Sequence, residues 1–320
     1  MKRIGARAET GWLFPGQVRN IPFGSDKTRA LQTPAELYID LLKKSLTRSF
    51  PDAYEQLGPR AADAPFFKRF AYSIIRKLLG RGLDLARPVD LTKRSEGRDW
   101  PIAGETMIGL RRLDNLQNCI CNIVANKVEG DLIEAGVWRG GAAIFMRAVI
   151  QALGDMKRKV WVADSFRGLP KPNPNKYPAD RGLDLSTARQ LAVPLETVKR
   201  NFEWYGMLDD RVIFLPGWFS DSLPTAPINK LALIRLDGDL YESTIDGLKH
   251  LYPKLSIDGY VIIDDYNSVP AAKQATDDFR KEHGITEQLM EVDWSAVYWK
   301  RSVAKYAFLH DSSGLHLPLH

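Results

Sequence analysis

From Asp131 onward, short apolar runs alternate with segments whose apolar positions recur at helical spacing. The runs fall at 131–137, 159–164, 211–215, 231–237 and 259–264. They are nearly continuous in Val, Ile, Leu and Ala rather than alternating with polar residues, the pattern of strands buried on both faces. Helical periodicity fills the gaps at 141–153, 195–205, 243–251 and 271–283. Strand and helix in strict alternation predict a parallel sheet covered on both sides. A late pair, GITEQLMEVD and SAVYWKRS, predicts two closing strands in a hairpin. The fold class expected is α/β, a Rossmann-like domain over 118–301 behind a helical N-terminal cap.

The first part of the chain reads differently. Residues 1–33 carry Gly, Pro and Arg without periodicity and are expected to form a flexible basic extension. Residues 34–117 are expected to supply the helical cap and active-site loops. Their clearest helix is AELYIDLLKKSLTRSF, with Thr33 as N-cap, Pro34 at the first helical position and Glu36 completing a capping box. FFKRFAYSIIRKLLGRG, at 66–82, predicts a basic amphipathic helix that packs its apolar face on the main domain. RPVDLTKRSEGRDWPIAGETMIG is irregular and polar, and a helix at 111–126 follows it. Residues 302–320 form a C-terminal tail.

Composition narrows the function classes. Of 320 residues 44% are hydrophobic and 26% charged, the balance of a globular protein. No uncharged apolar run approaches the roughly 18 residues a membrane span needs, and the first residues do not make a secretory signal. The net charge of +6 is not gathered into a long basic tract, so no nucleic-acid partner is expected. Two cysteines, Cys119 and Cys121, cannot frame a disulfide scaffold, which points to a reducing, cytoplasmic setting. They lie in a helical pattern with no His nearby and read as core residues rather than metal ligands.

The first strand runs into DLIEAGVWRGGAAIF, placing Glu134, Gly136, Gly140 and Gly141 at a strand-to-helix turn. The second ends in Asp164, where a carboxylate can accept from both hydroxyls of a ribose. The dinucleotide pattern G-x-G-x-x-G is absent, and Val137, Trp138 and Arg139 stand where a pyrophosphate needs bare backbone. That spacing and the lack of a Tyr-x-x-x-Lys pair disfavour a nicotinamide oxidoreductase. E-x-G-x-x-x-G is instead the pattern of S-adenosylmethionine (SAM) methyltransferases, whose cofactor carries no phosphate. Trp218, in FLPGWFSDSLP, offers either an adenine-stacking face or a core side chain.

Two strands then end in acid. LALIRLDGDLYEST closes on Asp237 and Asp239, and GYVIIDDYN closes on Asp264 and Asp265. If these strands are parallel neighbours, their axes lie ~4.8 Å apart. Carboxylates on one rim would then crowd, raising at least one pKa unless a cation neutralised them. Hard oxygen donors suit Mg²⁺.

These motifs, with RDWPIAGETMIGLRRLDNLQNC, VWVADSFRGLP, NFEWYGMLDDRVIFLPGWFSDSLP and LYPKLSIDGYVIIDDY, resemble the macrocin O-methyltransferase family over about 36–301. The resemblance implies a Mg²⁺- and SAM-dependent transfer of a methyl group to a sugar hydroxyl of a macrolide, aminocoumarin or related secondary metabolite. It implies Mg²⁺ on Asp237, Asp264 and Asp265, with Asp237 also acting as base. It implies cofactor contacts from Thr106, Met107, Glu134, Gly136, Trp138, Asp164, Ser165, Arg167, Gly217, Trp218 and Ser222. Asp239, Tyr241 and Glu242 match its motif without a defined role. The Pro- and Asn-rich stretch RGLPKPNPNKYPADRGLD is expected to act as a lid. The partner expected is a small glycosylated or diol acceptor, and self-association of the chain is expected too. A catechol acceptor, which also presents two adjacent oxygens, is the alternative within the class.

Overall fold

Five parallel strands set side by side carry the molecule's carboxylates to a common rim. The computed structural model describes residues 32–51, 53–56, 74 and 86–302. Apart from Gln32, Thr33, Ile74 and Ser302, the extension 1–33, the basic helix expected at 66–82 and the tail 302–320 lie outside the described residues.

The main sheet contains β3 (Asp131–Ala135), β4 (Val160–Asp164), β5 (Val212–Pro216), β6 (Leu231–Leu236), β7 (Leu255–Ile263), β8 (Met290–Glu291) and β9 (Val297–Lys300). Its order is β5-β4-β3-β6-β7-β9-β8. β3 to β7 are mutually parallel, whereas β9 runs antiparallel to both β7 and β8. The closing pair expected from sequence is therefore present, with its second strand inserted against β7. The strand order reverses between β3 and β6, where an open α/β sheet leaves a crevice for ligands.

Helices α3 (Gly109–Ala125), α4 (Gly141–Ala152), α5 (Leu195–Trp204), α7 (Tyr241–Leu251) and α8 (Pro270–Glu282) cover the two faces; α6 (Phe219–Ser222) is a single turn. On one face Leu132, Leu233 and Ile262 pack with Leu113, Leu116 and Ile120 of α3 and with α4. On the other, Ile133, Ile234, Leu236 and Ile263 pack with Leu248 and Phe279 of α7 and α8. Cys119 is a buried free thiol in the α3 core.

Period-two alternation decides where the charged residues go. Glu134, Arg235 and Asp264 have the parity of Leu132, Leu233 and Ile262, so all three point toward α3. Glu134 stands opposite Arg235 in the register, and Leu236 opposite Ile263. The ladder runs one residue past each strand: Asp237 N donates to Ala135 O and Asp264 N to Leu236 O, both at 2.9 Å. The strand ends are thus level.

The cap begins with α1 (Pro34–Thr47), whose capping box forms as expected: Glu36 N donates to Thr33 Oγ1 at 3.2 Å, and Thr33 N to Glu36 Oε2 at 2.7 Å. The helix stops at Thr47 because Arg48 turns left-handed, φ 54°, rather than continuing to Phe50. Two short strands, β1 (Tyr54–Gln56) and β2 (Ala86–Pro88), form an antiparallel ribbon that the sequence pattern does not announce. The stretch read as irregular also holds α2 (Leu91–Ser95), started by Asp90 accepting from Lys93 N at 3.1 Å. Among the described residues no helix is long and apolar enough to cross a membrane.

Candidate active site

The cleft opens where β3 and β6 part. Gly136 has φ +89°, and a Cβ there would lie 1.8 Å from Asp237 O. Glycine is thus required for β3 to run up against the turn that carries the acids. Beyond it, Asp164 closes the turn from the neighbouring strand. Val137 N donates to its Oδ2 at 2.8 Å and Phe166 N to its Oδ1 at 2.7 Å. Burial raises the Asp164 pKa, against the backbone amides of Val137, Phe166 and Trp138 that favour the anion. Ser165 Oγ also lies 3.4 Å from Oδ1, so the protein itself orders both carboxylate oxygens at the mouth of the turn.

Several of the other residues expected around a cofactor lie on the turns tied to Asp164. Ser165 Oγ donates to Gly168 O at 2.6 Å, Gly217 N donates to Asp164 O at 2.9 Å, and the Arg167 guanidinium lies 5.5 Å from the Trp218 ring centroid. Ser222 Oγ donates to Trp218 O at 3.0 Å and holds that turn. Trp138 is left-handed, φ 47°, and its Nε1 donates to Gln190 O at 2.9 Å. Thr106 is buried and Met107 half-buried, on a loop pinned from two sides. Arg139 Nη1 donates to Gly104 O at 2.6 Å and Ile102 O at 3.0 Å, while Gly141 N donates to Glu105 O at 3.0 Å. Sequence reasoning saw Arg139 only as bulk against a pyrophosphate; here it fastens the Thr106–Met107 loop to the glycine turn.

Glu134 sits below this rim. It is buried, and its Oε1 accepts from Arg235 Nη1 at 2.5 Å. Burial pushes its pKa up to about 8, with Arg235 opposing and Asp237 and Asp264 adding to the rise.

The acids converge on the other side of the crevice. One carboxylate oxygen from each of Asp237, Asp264 and Asp265 lies within 4.8 Å of the others. Two guanidiniums order them. Arg235 Nη2 donates to Asp237 Oδ2 at 3.0 Å and also to Asp264 Oδ1. Arg112, from α3, donates through Nη1 to Asp264 Oδ2 at 2.5 Å and through Nε to Asp293 Oδ2 at 2.8 Å. Burial alone would raise the Asp264 pKa, but Arg112 and Arg235 outweigh it and hold this group below the ordinary carboxylate range. Asp237 is raised, first by burial and then by Asp264, against Arg235 and Arg112. Asp265 is raised well above the ordinary range by burial and by Asp239, Asp237 and Asp264.

Asp239 belongs to the same rim. Its backbone is left-handed, φ 56°, and its N–H donates to Asp265 Oδ2 at 3.3 Å. Its pKa is pushed up to about 7 by burial and by the Asp237 and Asp264 charges. Five carboxylates (Glu134, Asp237, Asp239, Asp264, Asp265) therefore crowd together; the two guanidiniums pair with Glu134, Asp237 and Asp264, and Arg112 also serves Asp293. A hard divalent cation fits the donor set, since three oxygen ligands from two adjacent strand ends leave the remaining positions for water and substrate. Arg235 and Arg112 were missed in the sequence. The signal was available in LALIRLD, because an arginine inside a fully buried strand requires a buried anion.

Comparisons with known proteins agree with this geometry. The family model described as Macrocin-O-methyltransferase (TylF) matches residues 35–301. The chain is 48% identical over 270 residues to the 8-demethyl-8-(2,3-dimethoxy-alpha-L-rhamnosyl)-tetracenomycin-C 4'-O-methyltransferase of Streptomyces olivaceus, covering 84% of this chain and 94% of that one. It is 41% identical over 273 residues to the mycinamicin III 3''-O-methyltransferase of Micromonospora griseorubida, covering 84% and 98%. The solved structure of the O-methyltransferase NovP superposes with a TM-score of 0.72 at 42% identity, covering 84% of this chain and 100% of that one. The chain belongs to the macrocin O-methyltransferase family of SAM-dependent O-methyltransferases of natural-product biosynthesis.

Proposed function

We propose that the enzyme methylates a hydroxyl on the sugar of a glycosylated metabolite, with Mg²⁺ seated on Asp237, Asp264 and Asp265. The convergence of those three carboxylates within 4.8 Å carries the reading. The sugar follows the relative named for a rhamnosyl tetracenomycin. We assign the cofactor's side of the cleft to Gly136, Trp138, Asp164, Ser165, Arg167, Gly217, Trp218 and Ser222, with Thr106 and Met107 closing it. Glu134 contributes through Arg235 rather than directly, as its salt bridge supports.

Bound there, the sulfonium supplies the methyl group and the divalent ion makes the acceptor hydroxyl more acidic and fixes its orientation. The chain's own residues do the rest. Arg235 and Arg112 lock the Asp264 carboxylate from both oxygens, and Arg235 turns Asp237 toward the cleft. Asp237, with its raised pKa, can accept the proton as well as ligate, but Arg235 already occupies its Oδ2 and a cation would occupy the rest of the carboxylate. Asp239, two residues along the turn and outside the converging trio, is the better-supported proton acceptor.

The test is a set of variants read by separate assays. Asp237→Asn should abolish methyl transfer while SAM affinity by calorimetry stays within about twofold, since the change touches the rim opposite the nucleoside side. Asp239→Asn should lower kcat and leave metal and SAM binding intact. EDTA should silence the enzyme and Mg²⁺ restore it; indifference to chelator would remove the metal seat. Turnover of catechols with none of glycosides would overturn the sugar reading. The free cysteines support a reducing, cytoplasmic setting, and light scattering would test self-association.

A further inference from the structure

Helix α7 begins at Tyr241, immediately after the Asp237–Leu240 turn. Its N-cap residue, Leu240, has no side chain able to accept a hydrogen bond, so the first amides need a partner from elsewhere. Asp180 provides it across 61 residues of sequence: its Oδ1 accepts from Tyr241 N at 2.6 Å, and its Oδ2 from Glu242 N at 3.3 Å. Asp180 is 0% exposed and closes a 3₁₀ turn, Pro178–Asp180, in the loop between β4 and α5. Beside it the Tyr177 ring packs on that of Tyr241, centroids 5.5 Å apart.

The same loop is tied at a second point. Gln190 O, in the 3₁₀ turn Arg189–Leu191, accepts from Trp138 Nε1 at 2.9 Å. Trp138 belongs to the glycine turn after β3, and Tyr241 to the acid-bearing turn after β6. The loop therefore leaves Asp164, docks beside the carboxylates and returns over the cofactor turn: a strap across the crevice.

The turn it holds is an unfavourable one. Asp239 is left-handed, and Leu240 N bends back to Gly238 O at 2.6 Å. Asp239 N in turn reaches Asp265 Oδ2 and couples the β6 turn to the β7 acids. The ladder bonds and Arg235 fix Asp237 and Asp264, but if the start of α7 frays, the Asp239–Asp265 link that sets the Asp265 carboxylate against Asp237 loosens.

We infer that Asp180 is a positioning residue for the metal seat, a distant N-cap through which the strap sets the spacing of Asp237 and Asp265. The inference rests on the proposed metal seat and deepens it.

The experiment uses full-length enzyme and Mn²⁺ as a spectroscopic probe of the seat, with S-adenosylhomocysteine affinity measured alongside. Asp180→Ala should weaken Mn²⁺ about tenfold and leave S-adenosylhomocysteine within about twofold; Asp180→Asn, which keeps an oxygen for Tyr241 N and gives up the longer bond from Glu242 N, should lose less Mn²⁺ affinity than Asp180→Ala and stay within about twofold for S-adenosylhomocysteine. Wild-type Mn²⁺ affinity in Asp180→Ala would overturn the inference. Equal losses of Mn²⁺ and S-adenosylhomocysteine would overturn it too, since they would mark a merely structural role. Should Asp180→Ala not fold, Tyr177→Ala loosens the same strap without burying an orphan group, and unchanged Mn²⁺ affinity in it would be equally fatal. A wild-type enzyme that binds no Mn²⁺ would remove the metal seat, and this inference with it.

Discussion

Replacing Arg235 with methionine tests whether buried charge, rather than packing, orders the acid rim. The substitution keeps an unbranched side chain of similar reach but removes the cation from among Glu134, Asp237 and Asp264. Arg235 is only 1% exposed, so water cannot replace it without opening the sheet. Breaking a buried ion pair from one side costs ~3–5 kcal/mol, because the stranded charge remains. Two features favour the low end. Arg112 still holds Asp264 Oδ2, and Glu134, with a pKa of about 8, already carries its proton for most of the time at neutral pH and strands little charge. A loss of about 3 kcal/mol would lower Tm by roughly 6–12 °C in a domain of this size. The sign of the pH dependence follows from Glu134. Its folded pKa stands above the ordinary 4.5, so the folded state retains a proton that the unfolded chain releases. Stability is then lost as pH rises from about 4.5 through about 8, and removing Arg235 steepens that loss. Thermal melts in EDTA should therefore show an Arg235→Met deficit that shrinks as pH falls from about 8 to about 6. A variant melting within about 2 °C of wild type, or a deficit that grows on acidification, would refute the reasoning.

Gly136→Ala should lose SAM and Mn²⁺ binding together, because its Cβ would sit 1.8 Å from Asp237 O at the junction of both half-sites; calorimetry showing either intact would contradict this. Arg139→Ala should raise the KM for SAM with little change in kcat, since it frees the Thr106–Met107 loop rather than touching the acids. Thr33→Ala should cost ~1 kcal/mol in urea denaturation and leave kinetics unchanged, because it removes only the α1 capping box.

The apolar runs located β3, β4, β5 and β6 within two residues at each end, because a strand buried on both faces needs no subtler code than continuity. β7 starts earlier than expected, at Leu255, which pairs with Leu231 ahead of a register shift; exposed Ile257 and Asp258 lie in that shift and interrupt the hydrophobic run. The β1–β2 ribbon was illegible: Ala86, Arg87 and Pro88 are all exposed, so no burial pattern marks them as a strand. The end of α1 was hidden for a related reason, because Arg48 rather than glycine takes the left-handed position. At the site, the strand-end acids could be read from sequence; Arg235, inside a buried strand, signalled only that some anion must meet it, and Arg112 gave no signal. Their partners come from three different elements, and only the register of β3, β6 and β7 brings them together. Asp180 was quoted within a loop read as a lid. Its role depends on where α7 begins in space, which residue spacing does not encode.

A cation entering this rim must displace protons as well as water. Asp264 stays ionised under its two guanidiniums, whereas burial and neighbouring acids raise the pKa values of Asp265 and Asp237. Asp239 stands at about 7. Ligation requires the carboxylate form, so binding should release protons and tighten as pH rises. The measurement is calorimetry of Mn²⁺ binding in two buffers of different ionisation enthalpy, whose difference in apparent heat counts the protons set free. With one strongly raised ligand and one raised neighbour, a net release of protons is expected near pH 7. The number should fall as pH rises and the rim ionises before the cation arrives. No release at neutral pH would mean that the carboxylates are charged before the cation arrives. The two arginines would then balance the rim alone, and the level strand ends of β6 and β7 would owe nothing to a metal.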